Sequence, residues 1–408
     1  MKILVVQSRP YQAFAGGDGA YIDALVRHLD QSGNQVIGIT SGTTKGRPRA
    51  WVRLAYACGP KTRWKFRSTI RLGDFYLALS AQLVTDTVSF LRQKFQKQRR
   101  PLSAFAVSPS QAERSWIARE LEREAPDVVI LTFESAGVID IVKAYGSPVV
   151  ALVGFLPLRG YSLDPSNERQ TETSPPLKTF LDAVRHADTI AFSSRDDCFY
   201  ARNELGITAP IFVGMGFSMQ SLPPQNEAKD LLFVGNKTAA NREAVDWFIK
   251  NVWPNVRERV PEASFRIVGR VANYFTSSEA EGITCVGEVS SLASEYQRAR
   301  LVVAPLLSGS AGVKTKIAEA ISFGCPVITT SLGVDGGDAD QISGAGYIAD
   351  DHATFTDHAV ALLTDNKLWH ENRLGTNAVF QKLFSFDAAY GEIDTALTRL
   401  AAASRSAT

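Results

Sequence analysis

The chain has 408 residues, 45% of them hydrophobic and 21% charged, an ordinary globular composition at a length that exceeds one compact core and implies two domains. Its four cysteines, Cys58, Cys198, Cys285 and Cys325, lie far apart with no C-x-x-C pair and no histidine cluster nearby, which argues against a zinc centre and for a reducing compartment. The formal net charge is only +2, but it is unevenly spread: residues 41–100 carry fourteen lysines and arginines against two acids, so the rest of the chain is net acidic.

In chain order, MKILVVQ turns polar too early for a signal peptide, and no stretch approaches about 18 uninterrupted apolar residues. A cytoplasmic protein is expected, with contact at the inner face of a membrane left open. Short β-branched runs then alternate with helical patterns: KILVVQ (2–7), VIGIT (36–40), DVVILT (127–132), PVVALVG (148–154), TIAFSS (189–194) and IFVGMG (211–216). Continuous apolar strands of this kind suit a parallel sheet covered on both faces. After the polar stretch SMQSLPPQNEAKD (218–230) the rhythm restarts with LLFVG, SFRIVG, ITCVG, LVVAPL, PVITT and GYIAD. The reading is an α/β protein with two doubly wound, Rossmann-like domains, at 1–218 and 219–385, followed by a helical segment at 386–408 free to pack on either domain.

Between the second and third strands lies a basic insertion, 41–126, expected to be helical. Within it GDFYLALSAQLVTDTVSFLRQKF carries apolar residues on more than one helical stripe and needs cover from protein or lipid. The lysines and arginines there are either a solvated face over a buried helix or, with Trp51, Trp64 and Phe66 among them, a surface for a phosphate-bearing acceptor or an acidic lipid. No nucleic-acid-binding motif accompanies the charge.

The segment SGSAGVKTKIAEA (308–320) combines several signals. LVVAP (301–305) reads as a strand, the glycine-punctuated loop follows, and from Lys314 onward Val313, Ile317, Ala320, Ile321 and Gly324 mark the core face of a helix. Lys316 and Glu319, three apart, project together from another face of its first turn. Gly309 and Gly312 permit close approach of a ligand, and helix-start N–H groups beside two lysines favour an anion such as a diphosphate. A carboxylate one turn in suits a ribose diol. The bland alternative is two solvated lysines and an i,i+3 ion pair, but the loop leaves the carboxyl end of a parallel strand, where open α/β sheets bind ligands.

GVKTKIAEAISFGCPVITTSLGVDG resembles the signature of the family 4 retaining glycosyltransferases of the GT-B fold, in the branch with G-x-[KR]-x-K-x-x-E instead of E-x7-E. The resemblance extends over nearly the whole chain, through AGGDGAYIDALVRHLDQSGNQVIGIT, FSSRDDCFYARNELG, LLFVGNKTAANREAVDWFIKNVWPNV and VGEVSSLASEYQRARLVVAPLLSG. It implies two domains facing across a cleft, with the acceptor on the N-terminal one and the nucleotide-sugar donor on the C-terminal one. It implies that Glu319 binds the nucleotide ribose, that Ser310, Gly312 and Val313 approach the donor's phosphates and sugar, and that Lys314 and Lys316 neutralise charge. Gly16 and Gly17 match the loop that closes on the donor from the opposite domain, and Glu288 and Val289 lie where the base is held.

Departures from the pattern are equally specific. Ala311 stands where E-x7-E has its first glutamate; Asn236 and Asn241 replace a phosphate-binding Arg and Lys, leaving Lys237 and Arg242 as adjacent candidates; VGFLPLRG (153–160) lacks the cleft histidine. Glu134, just after the DVVILT strand, either faces the cleft or is an ordinary first-turn helix residue, and the acid pairs Asp335/Asp338 and Asp196/Asp197 read as turn and helix-start residues rather than metal ligands. The resemblance implies transfer of a sugar from a nucleotide-diphosphate sugar to a hydroxyl on a glycan, a glycolipid or a small molecule, without metal or other cofactor. A sugar-nucleotide epimerase or a non-catalytic binding protein of the same fold are the alternatives; a Rossmann oxidoreductase is disfavoured because GGDGA lies about ten residues beyond KILVV.

Overall fold

The computed structural model describes residues 1–7, 17–40, 51–53, 63–66, 69–72, 75–78, 109, 111–154, 156, 161–162, 175–220, 228–309, 314–334 and 342–406. The first sheet has seven strands, β1 (Lys2–Gln7), β2 (Gln35–Thr40), β4 (Arg63–Phe66), β7 (Val128–Thr132), β8 (Val149–Gly154), β10 (Thr189–Phe192) and β11 (Ile211–Phe212), in the order β11-β10-β8-β7-β1-β2-β4. All its pairings are parallel. The second has six parallel strands, β12 (Asp230–Val234), β13 (Ser264–Val268), β14 (Ile283–Gly287), β15 (Leu301–Ala304), β17 (Val327–Thr329) and β18 (Gly346–Ile348), in the order β14-β13-β12-β15-β17-β18. The α/β architecture with two doubly wound sheets is therefore the one expected from the apolar runs.

Those runs are continuous because both faces of each sheet are covered. In β1, Leu4 and Val6 join one core with Val129, Leu131 and Phe192, while Ile3 and Val5 join the opposite core with Tyr21, Leu25 and Val26 of the Gly17–Gln31 helix. The second domain repeats the arrangement, with Leu231 and Phe233 facing Phe248 and Trp253 on one side, and Leu232 and Val234 facing Tyr296, Ile317 and Ile321 on the other. In each sheet the strand order reverses beside a central strand, between β1 and β7 and between β12 and β15. The loops leaving β12 and β15 thus open on the crevice where such sheets take their ligands.

The Phe386–Ser406 helix lies on the first sheet: Ala389, Tyr390, Ile393, Leu397 and Leu400 share a core with Ile3, Val5 and Val128. Polar contacts pin its first turns to the chain crossing from the first domain to the second. Gly214 N–H donates to the Ala389 carbonyl at 3.0 Å, Phe217 N–H to the Phe384 carbonyl at 2.9 Å, and Gly216 N–H to the Tyr390 hydroxyl at 3.0 Å. Phe212 N–H donates to Glu392 Oε2 at 2.8 Å, and His28 Nε2 lies 2.8 Å from Asp394 Oδ2.

The basic insertion departs from the helical expectation. β3 (Trp51–Arg53), β6 (Phe75–Ala78) and β5 (Thr69–Leu72) form a separate antiparallel sheet, and β4 extends the main sheet beside β2. Leu72 pairs with Phe75, so the Gly-Asp dipeptide between TIRL and FYLA is the sequence pattern of a two-residue hairpin, and aromatic content favours strands there over the longer helical periodicity. Residues 79–95 of the expected helix lie outside the described residues, whereas Gln111–Glu124, at the end of the insertion, is helical. Lys65 is not a free surface charge, because its ammonium donates to Glu120 Oε2 at 3.0 Å and contacts Glu124 as well. Among the described residues no helix is long and apolar enough to cross a membrane.

The C-terminal helix is a structural part of the first domain on this geometry. Leu397→Ala, which empties a buried site 1% exposed, is expected to cost about 2–5 kcal/mol, read from urea unfolding of the full chain.

Candidate functional site

The site is built at the carboxyl ends of β12, β13, β14 and β15. Glycines make the convergence possible: Gly269 has φ +90°, and a Cβ there would sit 2.5 Å from the Gly235 carbonyl oxygen, so the turns after β12 and β13 approach closely only without a side chain. Beyond β15, β16 (Ser308–Gly309) pairs antiparallel with β9 (Tyr161–Ser162) of the first domain, immediately before the loop that leads into the Thr315–Ser322 helix. Ser308 Oγ also donates to Glu243 Oε2 at 2.6 Å.

Lys314 is the N-cap position of that helix, with extended backbone, and Lys316 and Glu319 project from its first turns. The Lys316 ammonium sits 4.1 Å from the centre of the Phe233 ring and donates to Asn241 Oδ1 at 2.7 Å. Asn241 Nδ2 in turn donates to the Asn236 carbonyl at 3.0 Å, so one amide ties the lysine to the turn after β12. Arg270, at the end of β13, donates to Asn236 Oδ1 at 3.2 Å, and its Nε lies 3.6 Å from Glu288 Oε1 at the end of β14. Lys316, Asn241, Asn236, Arg270 and Glu288 therefore form one continuous polar chain across three strand ends.

Glu319 is half-buried and accepts a hydrogen bond from the Tyr296 hydroxyl at 2.8 Å. Burial pushes its carboxyl above the usual range, while the Tyr296 hydrogen bond and the charge of Lys316 pull it back down. Burial acts most strongly on Lys316: together with the neighbouring Lys314 charge it lowers the ammonium pKa to about 7, against the opposing pull of Glu319.

Lys237 and Arg242 meet at a second point. Lys237 Nζ lies 5.1 Å and the Arg242 guanidinium 5.2 Å from the centre of the Tyr274 ring, and Arg242 Nε is 3.5 Å from Asp246 Oδ2. Both stay near the rim, held by an aromatic face and, for Arg242, by an exposed intrahelical pair of small energetic value. Val289 is partly buried against the core around Tyr296 and Ile317. Gly17 opens the Gly17–Gln31 helix; Gly16, Ser310, Gly312 and Val313 lie outside the described residues, as do Ala311, Asp335 and Asp338. Asp197 is buried and accepts from Leu156 N–H at 3.0 Å, a structural role in place of metal ligation.

Three residues of this arrangement had no assigned role in the sequence. Asn241 read only as the loss of a cation, yet its amide orients Lys316. Arg270 directly follows the glycine that ends the FRIVG strand, but no role was attached to it. Tyr296 is indistinguishable in sequence from a core aromatic, since its hydroxyl meets Glu319 only through packing of the Ala293–Arg298 helix against Thr315–Ser322.

A cation with a pKa of about 7 at a helix start has a pH signature in anion binding. In the empty site Lys316 is largely neutral above pH 7; a bound diphosphate raises its pKa and draws in a proton, so affinity is full below about pH 7 and declines as pH rises above it. Titration calorimetry with nucleoside diphosphates is expected to show about tenfold weaker binding at pH 8.5 than at pH 6.5, with proton uptake at the higher pH. Lys316→Arg, which keeps its charge, is expected to flatten this dependence.

Comparison with known proteins follows the geometry. The family model for glycosyl transferases group 1 matches residues 228–365, which hold all six strands of the second sheet. No curated protein matches the chain in sequence. Among solved structures it is similar to a sucrose-phosphate synthase of Thermosynechococcus elongatus, with 16% identity and a TM-score of 0.68 over 98% of this chain and 99% of that one. S. aureus TarM, in a complex containing UDP and alpha-GlcNAc-glycerol, is similar at 10% identity and a TM-score of 0.66 over 97% and 99% of the two chains. The pneumococcal O-GlcNAc transferase GtfA, in complex with UDP and GlcNAc, is similar at 11% identity and 0.63 over 98% and 99%. The two parallel sheets are those of the GT-B fold, and the chain carries a glycosyl transferases group 1 domain over residues 228–365.

Proposed function

We propose that the protein transfers a sugar from a nucleotide-diphosphate sugar to an acceptor hydroxyl with retention of anomeric configuration and without a metal ion. The observation that carries this reading is the pairing of Lys316, held by Asn241 over the Phe233 ring, with Glu319 three residues later at the head of one helix. A diphosphate entering at that helix start meets Lys314, Lys316 and first-turn N–H groups, and Glu319 receives the ribose diol. The bond between the anomeric carbon and the leaving phosphate oxygen breaks, the acceptor oxygen takes its place on the same face, and the acceptor proton passes to the departing diphosphate. Negative charge grows on the diphosphate as this happens, and cations already in place stabilise it without reorganisation. Lysines in this role do the charge neutralisation that other transferases assign to a divalent ion, which supports a metal-independent reaction. Lys237 and Arg242 at the Tyr274 ring are placed to add to that charge. The structural neighbours that hold UDP with a sugar or glycoside support a nucleotide-sugar donor.

The acceptor belongs to the first domain on this reading, where the basic insertion supports an anionic glycan, a glycolipid or a phosphorylated small molecule, at the cytoplasmic face of a membrane in the glycolipid case. Thermal-shift screening with UDP, GDP, ADP, dTDP and CDP fixes the donor base before the acceptor is known. With the matching sugar donor, Lys316→Ala and Glu319→Ala are each expected to lower transfer by about 10²–10³-fold with the fold intact, and EDTA to leave it unchanged. Unimpaired turnover in both variants overturns the assignment, and conversion of donor to an isomeric sugar nucleotide without acceptor replaces it with an epimerase.

A further inference from the structure

Tyr296 lies outside the motif that carries the lysines and Glu319, on the six-residue helix Ala293–Arg298, and it is fully buried. A phenol so placed needs a hydrogen-bond partner. The hydroxyl finds it on the neighbouring helix, donating to Glu319 Oε2 at 2.8 Å. The Tyr296 ring is stacked on Phe323, with centroids 5.1 Å apart and planes 11° from parallel, and Phe323 stands one helical turn after Glu319. The ring is clamped by the end of the same helix whose beginning carries the carboxylate, so the hydroxyl has one direction available.

We infer that Tyr296 is a positioning residue for the donor site: it fixes the Glu319 carboxylate through Oε2 and leaves Oε1 to accept from the ribose diol, so that it sets the preference for ribose over deoxygenated sugars. This rests on the ribose role given to Glu319 above. A carboxylate has room for about four hydrogen bonds, and only the one from Tyr296 is made among the described residues. Without that anchor a glutamate has three rotatable bonds to order on each binding event; with it the ordering is already done. The phenol also favours the ionised carboxylate, the only form that accepts two diol protons without offering one in return. Among the described residues the other charge facing Glu319 is Lys316 on the same helix, which itself neighbours Lys314 at the N-cap. Burial keeps the phenol itself protonated, so it acts as a donor throughout the working range.

The experiment compares UDP, GDP and ADP with their 2′,3′-dideoxy counterparts by titration calorimetry on the full chain, in wild type, Tyr296→Phe, Glu319→Gln and the double variant. Phenylalanine preserves the ring and its stacking. Tyr296→Phe is expected to weaken the preferred ribose nucleotide about tenfold and its dideoxy analogue less than twofold. The two substitutions are expected to be non-additive, with the double variant matching Glu319→Gln. Loss of the phenol raises the Glu319 pKa, so the acidic limb along which ribose affinity fades is expected to move up by about one pH unit. Equal losses for ribose and dideoxy nucleotides, or an unmoved acidic limb, overturn the inference. Ribose preference intact in Glu319→Gln overturns the role of Glu319 and this inference with it; preference lost there but kept in Tyr296→Phe overturns this inference alone. If Tyr296→Phe does not fold, protein labelled with 3-fluorotyrosine supplies a stronger donor at the same place. Its acidic limb is then expected to move down, and an unmoved limb overturns the inference.

Discussion

The second domain turns on one lysine ammonium held against an aromatic ring. Lys316 stands over Phe233 and donates, among the described residues, to the amide oxygen of Asn241, and burial takes much of its proton affinity away. An ammonium desolvated to this degree is an unfilled demand for negative charge. Every neighbouring feature serves that demand: the glycine turns that bring β12 and β13 together, the helix start at Lys314, and the carboxylate that limits how far the lysine is pushed toward neutrality. Two further cations, Lys237 and Arg242, lie against the Tyr274 ring, with Arg242 also paired to Asp246 of its own helix.

Much of this was readable from residue order, for a physical reason. Parallel strands buried on both faces need continuous apolar runs, and runs such as VVILT and VVALVG have no other economical explanation. The Lys316 and Glu319 pairing was readable because both residues sit on one helix, where spacing alone fixes neighbourhood. The contacts that complete the site were not, since they join residues far apart in the chain: Lys316 and Asn241 are 75 residues apart, Arg270 and Asn236 34, Tyr296 and Glu319 23. An asparagine where related sequences place a cation looks like a loss until the fold shows which ammonium it faces.

The insertion gives the opposite lesson. Its apolar residues satisfied a helical period, but over 75–78 FYLA pairs with TIRL as a strand. Charge counting misled in a similar way at Lys65, whose partners Glu120 and Glu124 come from a helix some sixty residues later. A run of cations is a surface only after its intramolecular partners have been subtracted.

The chain passes between its halves twice, once at 213–220 and once at 384–389, and the two passages are hydrogen-bonded to one another through Gly214 to Ala389, Phe217 to Phe384 and Gly216 to Tyr390. A lone connecting strand lets two bodies swivel about its axis; a laced pair bends readily in one plane and resists torsion. Any relative motion of the two halves is thereby channelled into a jaw-like swing and held against twisting.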